Sequence, residues 1–239
     1  MSLRPFELPF GDCLLRGDRF AMRCETLVLH GAGNSSRARF LRLRQSLNRR
    51  GIPSVSFDFI GQGETGGAMR GCTLRGRTEQ AAAVVRHACA EPLTVIASSM
   101  GAYTAIRLAE IFAVENLVLL VPAVYTPCAY GAPFGPEFST VIRRPGSWQD
   151  SDAFDIISGF KGNLLVIAAE SDDVIPREVV ERIHASATNA KVRLLHVVPA
   201  SSHLSLFPDE RDFLFVLRMI VDVCGRGRDK YRGAGDLSA

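Results

Sequence analysis

A chain of 239 residues, 47% of them hydrophobic, is long enough to bury one sizeable core. Its formal net charge of +3 is slight, whereas a dedicated nucleic-acid surface would be more basic and more clustered. Six cysteines (Cys13, Cys24, Cys72, Cys89, Cys128, Cys224) form no C-x-x-C pair and no Cys/His block, so neither a disulfide framework nor a metal site is expected.

The opening MSLRPFELPFGD lacks the long apolar stretch of a signal peptide, and no later run approaches the roughly 20 apolar residues of a membrane helix. A soluble cytoplasmic protein with no membrane partner is expected. Segment 6–23, with turn signals at Gly11 and Gly17, predicts an antiparallel edge hairpin. TLVLH (26–30) reads as the first core strand and ends in the glycine-rich GAGNSS. A helix is predicted from Arg37 to Arg50, capped by Ser36 and stopped by Gly51, with Phe40, Leu43 and Leu47 on one face. SVSFDF (54–59) is the next strand. After a Gly-rich loop, Thr78 is expected to cap a helix whose inner face is Ala81, Val84, Val85, Ala88 and Cys89. Further strands are predicted at 93–97, 116–121, 164–169 and 192–198, with helices near 101–112, 177–187 and 210–224. Strands that are apolar on both faces belong in a parallel sheet covered on each side. Residues 123–161 break this rhythm with Pro, Gly and aromatics, which marks an insertion between strands. Residues 1–224 are therefore expected to form a single α/β domain, and 225–239 a disordered tail.

VIASSMGAY (95–103) places two serines at the end of a strand, where parallel sheets put their ligands. A sharp strand-to-helix turn that exposes a nucleophile needs small residues two before and two after it. Framed on Ser99 these are Ala97 and Gly101, whereas framed on Ser98 they are Ile96 and Met100, which would clash. Ser99 fits. A serine hydroxyl needs a base, and the base needs an orienting acid. Downstream, His184 falls in a helical pattern and His196 in a strand, which leaves His203 on the loop after the last strand. For the acid, Asp172 and Asp173 both qualify. Backbone donors for an oxyanion are expected from Met100 and from Ala32 in HGAG. His30 is expected to tie that loop together by hydrogen bonds. GQGETG (61–66) matches a dinucleotide fingerprint but follows the second core strand and leads into no helix, so no nucleotide cofactor is expected.

Together LVLHGAG, FDFIGQGET, VIASSMGAY, AESDDVIP and PASSHLSLF resemble the successive motifs of α/β-hydrolase-fold serine hydrolases. The likeness is greatest to the lidded esterases of the serine aminopeptidase, monoglyceride lipase and cinnamoyl esterase group, and runs from about residue 26 to 222. It implies an α/β-hydrolase fold, a mostly parallel central sheet with helices on both faces and a short lid at about 123–161. It also implies Ser99 as nucleophile, His203 as base, Ala32 and Met100 as oxyanion donors, and no cofactor. Asp172 becomes the acid, because the family sets it four residues before a proline, here Pro176. Three departures stand out: Ala97 replaces the first elbow glycine, Gln62 replaces a histidine, and the lid is short. The expected activity is cleavage of a carboxylic ester of a small acyl or aryl substrate. The alternatives are acyl-thioester hydrolysis and non-catalytic ligand binding on the same fold. Tyr125, Tyr130, Phe134, Phe138 and Trp148 of the insertion are expected to form an apolar rim over Ser99.

Overall fold

Strands without a polar face are stable only inside a sheet covered on both sides, and the computed structural model, which describes residues 2–232, contains such a sheet. Among the described residues its strands are β1 (Arg4–Phe10), β2 (Cys13–Arg19), β3 (Cys24–Leu29), β4 (Ser54–Phe57), β5 (Cys89–Ser98), β6 (Val114–Leu120), β7 (Asn163–Ser171) and β8 (Val192–Ser202). Their spatial order is β1-β2-β4-β3-β5-β6-β7-β8. The strands from β3 to β8 pair in parallel. The expected hairpin is β1–β2, with Phe10 opposite Cys13 and Gly11 at φ +56° in its turn.

The helices are α1 (Leu41–Asn48), α2 (Leu74–Ala88), α3 (Met100–Leu108), α4 (Pro136–Ile142), α5 (Ala153–Gly159), α6 (Arg177–Ser186) and α7 (Glu210–Arg232). Successive strand residues point to opposite faces, which divides the core in two. Val28, Ile96, Val118 and Leu165 meet Leu43 and Leu47 of α1 and Phe213, Leu217 and Ile220 of α7. Their neighbours Leu27, Val95, Leu117 and Leu164 belong to the opposite cluster, with Val84 and Val85 of α2, Ile106 of α3, Ile157 of α5 and Val179 of α6. Each such side chain contributes about 1.5–3 kcal/mol when fully buried.

The chain departs from expectation in five places. The helix after β3 begins as a 3-10 turn, Arg37–Phe40, before α1, and β4 ends at Phe57. α2 starts at Leu74, four residues before the expected Thr78. Thr73 is its cap, accepting from the Gly76 N–H at 2.9 Å, while Thr78 lies within the helix and donates to the Leu74 carbonyl. Gly76 in the first turn hides this start from a reading based on propensity. α7 continues past 224 to Arg232, so the expected tail is helical at first; residues 233–239 of it lie outside the described residues.

The fifth difference is the insertion, which carries α4 and α5. Its aromatics face inward, joining the core cluster of α2 and α3, rather than outward as a rim. Tyr125, Phe134 and Phe138 are buried, and Tyr130 and Trp148 half-buried. Tyr103 of α3 meets the Tyr125 ring edge-on at 5.5 Å and donates to Asp152 at 2.7 Å; Arg107 holds the same carboxylate at 3.0 Å. The insertion is thus fastened to the helix that follows Ser99.

Thr73→Ala is expected to destabilise the protein by about 1 kcal/mol in urea melts, the typical cost of an N-cap. Thr78→Val should cost less, and the reverse order would return the cap to Thr78.

Candidate active site

β5 lies at the centre of the parallel strands, between β3 and β6, so its C-terminal end meets the loops of both neighbours. Ser98 is still paired in the strand, opposite Leu120. Ser99 then turns to φ 52°, ψ −124°, a conformation rare outside glycine, and α3 begins at the next residue. The small neighbours are required as expected. A Cβ on Gly101 would sit 2.6 Å from the His30 carbonyl oxygen, and Ala97 is fully buried. A Cβ on Gly31 would be 3.1 Å from that of Ser99, so the loop after β3 lies directly against the serine.

The loops after β7 and β8 bring in the other predicted residues. His203 Nε2 is 3.0 Å from Ser99 Oγ, and His203 Nδ1 is 2.9 Å from Asp172 Oδ2. Asp172 Oδ1 accepts the N–H groups of Val174 and Ile175 at 2.9 and 2.8 Å, which aims its other oxygen at the imidazole. Burial would raise the Asp172 carboxyl, but the hydrogen bonds from His203 and these two N–H groups pull it below its ordinary value. Asp173 is exposed. His184 lies in α6, and His196 in β8 packs on Phe215 at 4.8 Å.

Ala32 lines a cavity of about 50 Å³ together with Gly31, Ser98, Ser99, His203 and Leu204. Met100 opens α3, where the first backbone N–H groups have no intrahelical partner. Beyond His203 a cleft of about 260 Å³ runs between α1 and α7, lined by Phe40, Leu120, Val121, Leu206 and Phe207 with Arg39 and Arg42.

The model of the alpha/beta hydrolase family matches residues 26–163, from β3 to the start of β7 and more than half of the chain. The chain belongs to this family. No curated protein matches it in sequence. Among solved structures, Est1E from Butyrivibrio proteoclasticus with bound ferulic acid is 18% identical, with a TM-score of 0.70 over 92% of this chain and 98% of that one. The monoacylglycerol lipase of Paleococcus ferrophilus is also 18% identical, with a TM-score of 0.68 over 87% and 99%. A thioesterase domain from the curacin biosynthetic pathway is 12% identical, with a TM-score of 0.69 over 93% and 100%. At these identities the likeness is one of fold. No helix among the described residues is long and apolar enough to cross a membrane.

Sequence reading missed one residue of this candidate site, Arg77. It is fully buried under the loop after β3 and donates to the carbonyls of His30 and Gly31 and to Gln62. The available signal was its position: with Leu74, Ala81, Val84, Val85 and Ala88 it falls on the inward stripe of α2. Gln62 returns to the same loop, donating to the Gly31, Gly33 and Ser35 carbonyls. GQGETG is therefore a brace for the loop, with no helix until Leu74.

His30 ties the loop together as expected. Its Nε2 accepts the Phe59 N–H at 3.3 Å, which leaves the proton on Nδ1 to donate to the Gly31 carbonyl at 2.9 Å. Burial first, then the charge of Arg77, lowers its pKa from 6.5 to about 3. It is thus neutral at neutral pH, and the Asp58 carboxylate 3.7 Å away forms no ion pair with it. A histidine with a depressed folded pKa contributes stability that is full above its unfolded pKa and lost as pH falls towards the folded one. Unfolding melts should therefore weaken below pH 6.5, by up to about 1.4 kcal/mol per pH unit. His30→Asn should lower stability at pH 7 and reduce this slope by about one proton; an unchanged slope would show that His30 titrates normally.

Proposed function

We propose that the chain is a serine hydrolase that cleaves carboxylic esters of small acyl or aryl substrates through an acyl-enzyme. The observation that carries this reading is the unbroken hydrogen-bond chain from Ser99 through His203 to Asp172. In the proposed reaction His203 Nε2 takes the Ser99 proton as Oγ attacks the ester carbonyl. Asp172 holds the imidazole with Nδ1 protonated and stabilises the imidazolium that forms. The Ala32 and Met100 N–H groups receive the oxyanion. Collapse expels the alcohol, which takes its proton from His203, and leaves the acyl group on Ser99. Water, activated by the same imidazole, releases the acid. The cavity of about 50 Å³ beside Ser99 favours a small group on one side of the scissile bond.

A fluorophosphonate probe is expected to label Ser99, and Ser99→Ala to lose at least ~10³-fold in turnover of p-nitrophenyl esters. Ser98→Ala should keep most activity, and labelling there would overturn the assignment. Asp172→Asn should cost roughly 10²–10⁴-fold by favouring the wrong tautomer, and Asp173→Asn no more than about twofold. Reversal of these two would move the acid to Asp173. Including acyl-CoA thioesters in the panel decides the leaving group. If both substrate classes are untouched and Ser99 stays unlabelled, the fold serves ligand binding alone.

A further inference from the structure

The mechanism uses the N–H side of the Gly31–Ala32 peptide. The opposite side of that peptide is unusual. Three donors converge on the Gly31 carbonyl: His30 Nδ1 at 2.9 Å, Gln62 Nε2 at 3.2 Å and Arg77 Nη2 at 3.2 Å. In a trans peptide the N–H points away from its C=O, so groups holding the oxygen from one side aim the Ala32 N–H to the other.

Arg77 sets this cluster apart. It is fully buried, and among the described residues no carboxylate pairs with it. Its remaining partners are the His30 carbonyl at 3.0 Å, Gln62 Oε1 at 2.6 Å and the face of Phe59, 3.6 Å from the ring centroid. Its Nε finds no acceptor. Burying an unpaired cation is costly, so a residue that served only to fasten the loop would do so more cheaply as a neutral donor. Burial lowers the guanidinium to about 9, which leaves it charged at neutral pH. A cation on a carbonyl draws electron density through the amide and makes its N–H a stronger donor. Charge-assisted hydrogen bonds are roughly twice as strong as neutral ones, and bonded chains polarise one another.

We propose that Arg77 is a positioning residue of the oxyanion hole, whose buried charge orients and polarises the Gly31–Ala32 peptide so that the Ala32 N–H binds the transition-state oxyanion more strongly than the ground-state carbonyl. This rests on the reading of Ser99 as nucleophile and Ala32 as donor. Gln62 extends the same function, because it accepts from Arg77 while donating to Gly31.

The test compares wild type, Arg77→Lys and Arg77→Met. Fluorophosphonate titration of wild-type Ser99 comes first, and failure to label would remove the parent reading and this one together. Removing an oxyanion donor costs about 10²–10³-fold, so weakening one should lower kcat by roughly 10–100-fold in Arg77→Met. KM should stay within about twofold, since the interaction belongs to the transition state. A trifluoromethyl ketone should lose affinity by the same factor as kcat. The infrared carbonyl stretch of a slow acyl-Ser99 ester should move to higher frequency. Arg77→Lys, which keeps a charge without the planar fork, should fall between. If Arg77→Met fails to fold, the carbonyl stretch and kcat of Arg77→Lys decide. A labelled wild type with an unshifted stretch and unchanged kcat in the folded variant would overturn the inference and leave the parent reading standing.

Discussion

Ser99 occupies a left-handed backbone conformation, φ 52°, that costs a non-glycine residue of order 1–3 kcal/mol. The surrounding core holds it there. Its N–H donates to the Leu120 carbonyl at 3.0 Å, and its carbonyl accepts from Ala102 and Ala123 at 2.9 and 3.2 Å. These bonds tie the turn to β6 on one side and to α3 on the other. The turn in turn dictates its neighbours. Gly101 is needed because α3 starts against the His30 carbonyl, and Gly31 because the loop after β3 lies against Ser99. The strain is therefore shared by three segments far apart in sequence, and relaxing it would require β3, β5 and β6 to move together.

The loop after β3 needs a foundation, and buried ions supply it. Asp18 of β2 receives Arg37 and Arg44, and Asp58 receives the Arg37 side chain and its N–H. Asp58 also accepts the Glu64 N–H at 3.0 Å, and Gly63 at φ +50° lets the chain pass so close that a Cβ there would sit 2.3 Å from the carboxylate. Arg44 is buried, so its charge depends on Asp18; removing Asp18 would strand it in a medium that cannot solvate it. The glycines of GQGETG thus shape the chain around a carboxylate of its own. A phosphate-binding loop would instead leave its N–H groups open at the start of a helix, and here the loop closes on itself through Gly61 N–H and the Gly66 carbonyl.

The features legible in the sequence are those carried by local pattern or by steric necessity. Apolar strands such as TLVLH and LTVIA need two covered faces, and small residues at 97 and 101 allow only one serine to turn. The meeting of His203 with Ser99, 104 positions apart, followed from chain order and loop placement. What stayed hidden depends on partners that no local pattern reveals. Arg77 lies just ahead of the helix expected after Thr78, which hid its place on the inward face of α2 among the His30 and Gly31 carbonyls and Gln62. Thr73 lost the cap to Thr78 because Gly76 interrupts the first turn. The insertion's aromatics look like a rim because a partner that draws them inward, Tyr103 against Tyr125 and Tyr130, lies on α3, outside the insertion.

That inward packing changes where room for a substrate exists. With Tyr103, Arg107 and Asp152 fastening the insertion to α3, its rings are committed to the core. The space described beside Ser99 and His203 opens towards α1 and α7 instead, and it is divided unequally. About 50 Å³ lies at the loop after β3, and about 260 Å³ beyond His203, walled by Phe40, Leu120, Val121, Leu206 and Phe207. For the proposed acyl transfer the smaller space is bounded by Gly31 and Ala32, whose approach to Ser99 is needed for oxyanion binding, so it cannot widen without weakening the chemistry. The larger is bounded on one side by Leu120 and Val121 at the end of β6, whose backbone holds Ser99, and on the other by Phe40 and side chains of α1, α7 and the loop after β8, and only this second side can change without touching the backbone at Ser99. In the proposed reaction, substrate breadth is thus set on the α1–α7 side, and the small space beside Gly31 and Ala32 is set by the same close approach that surrounds the serine in its strained turn.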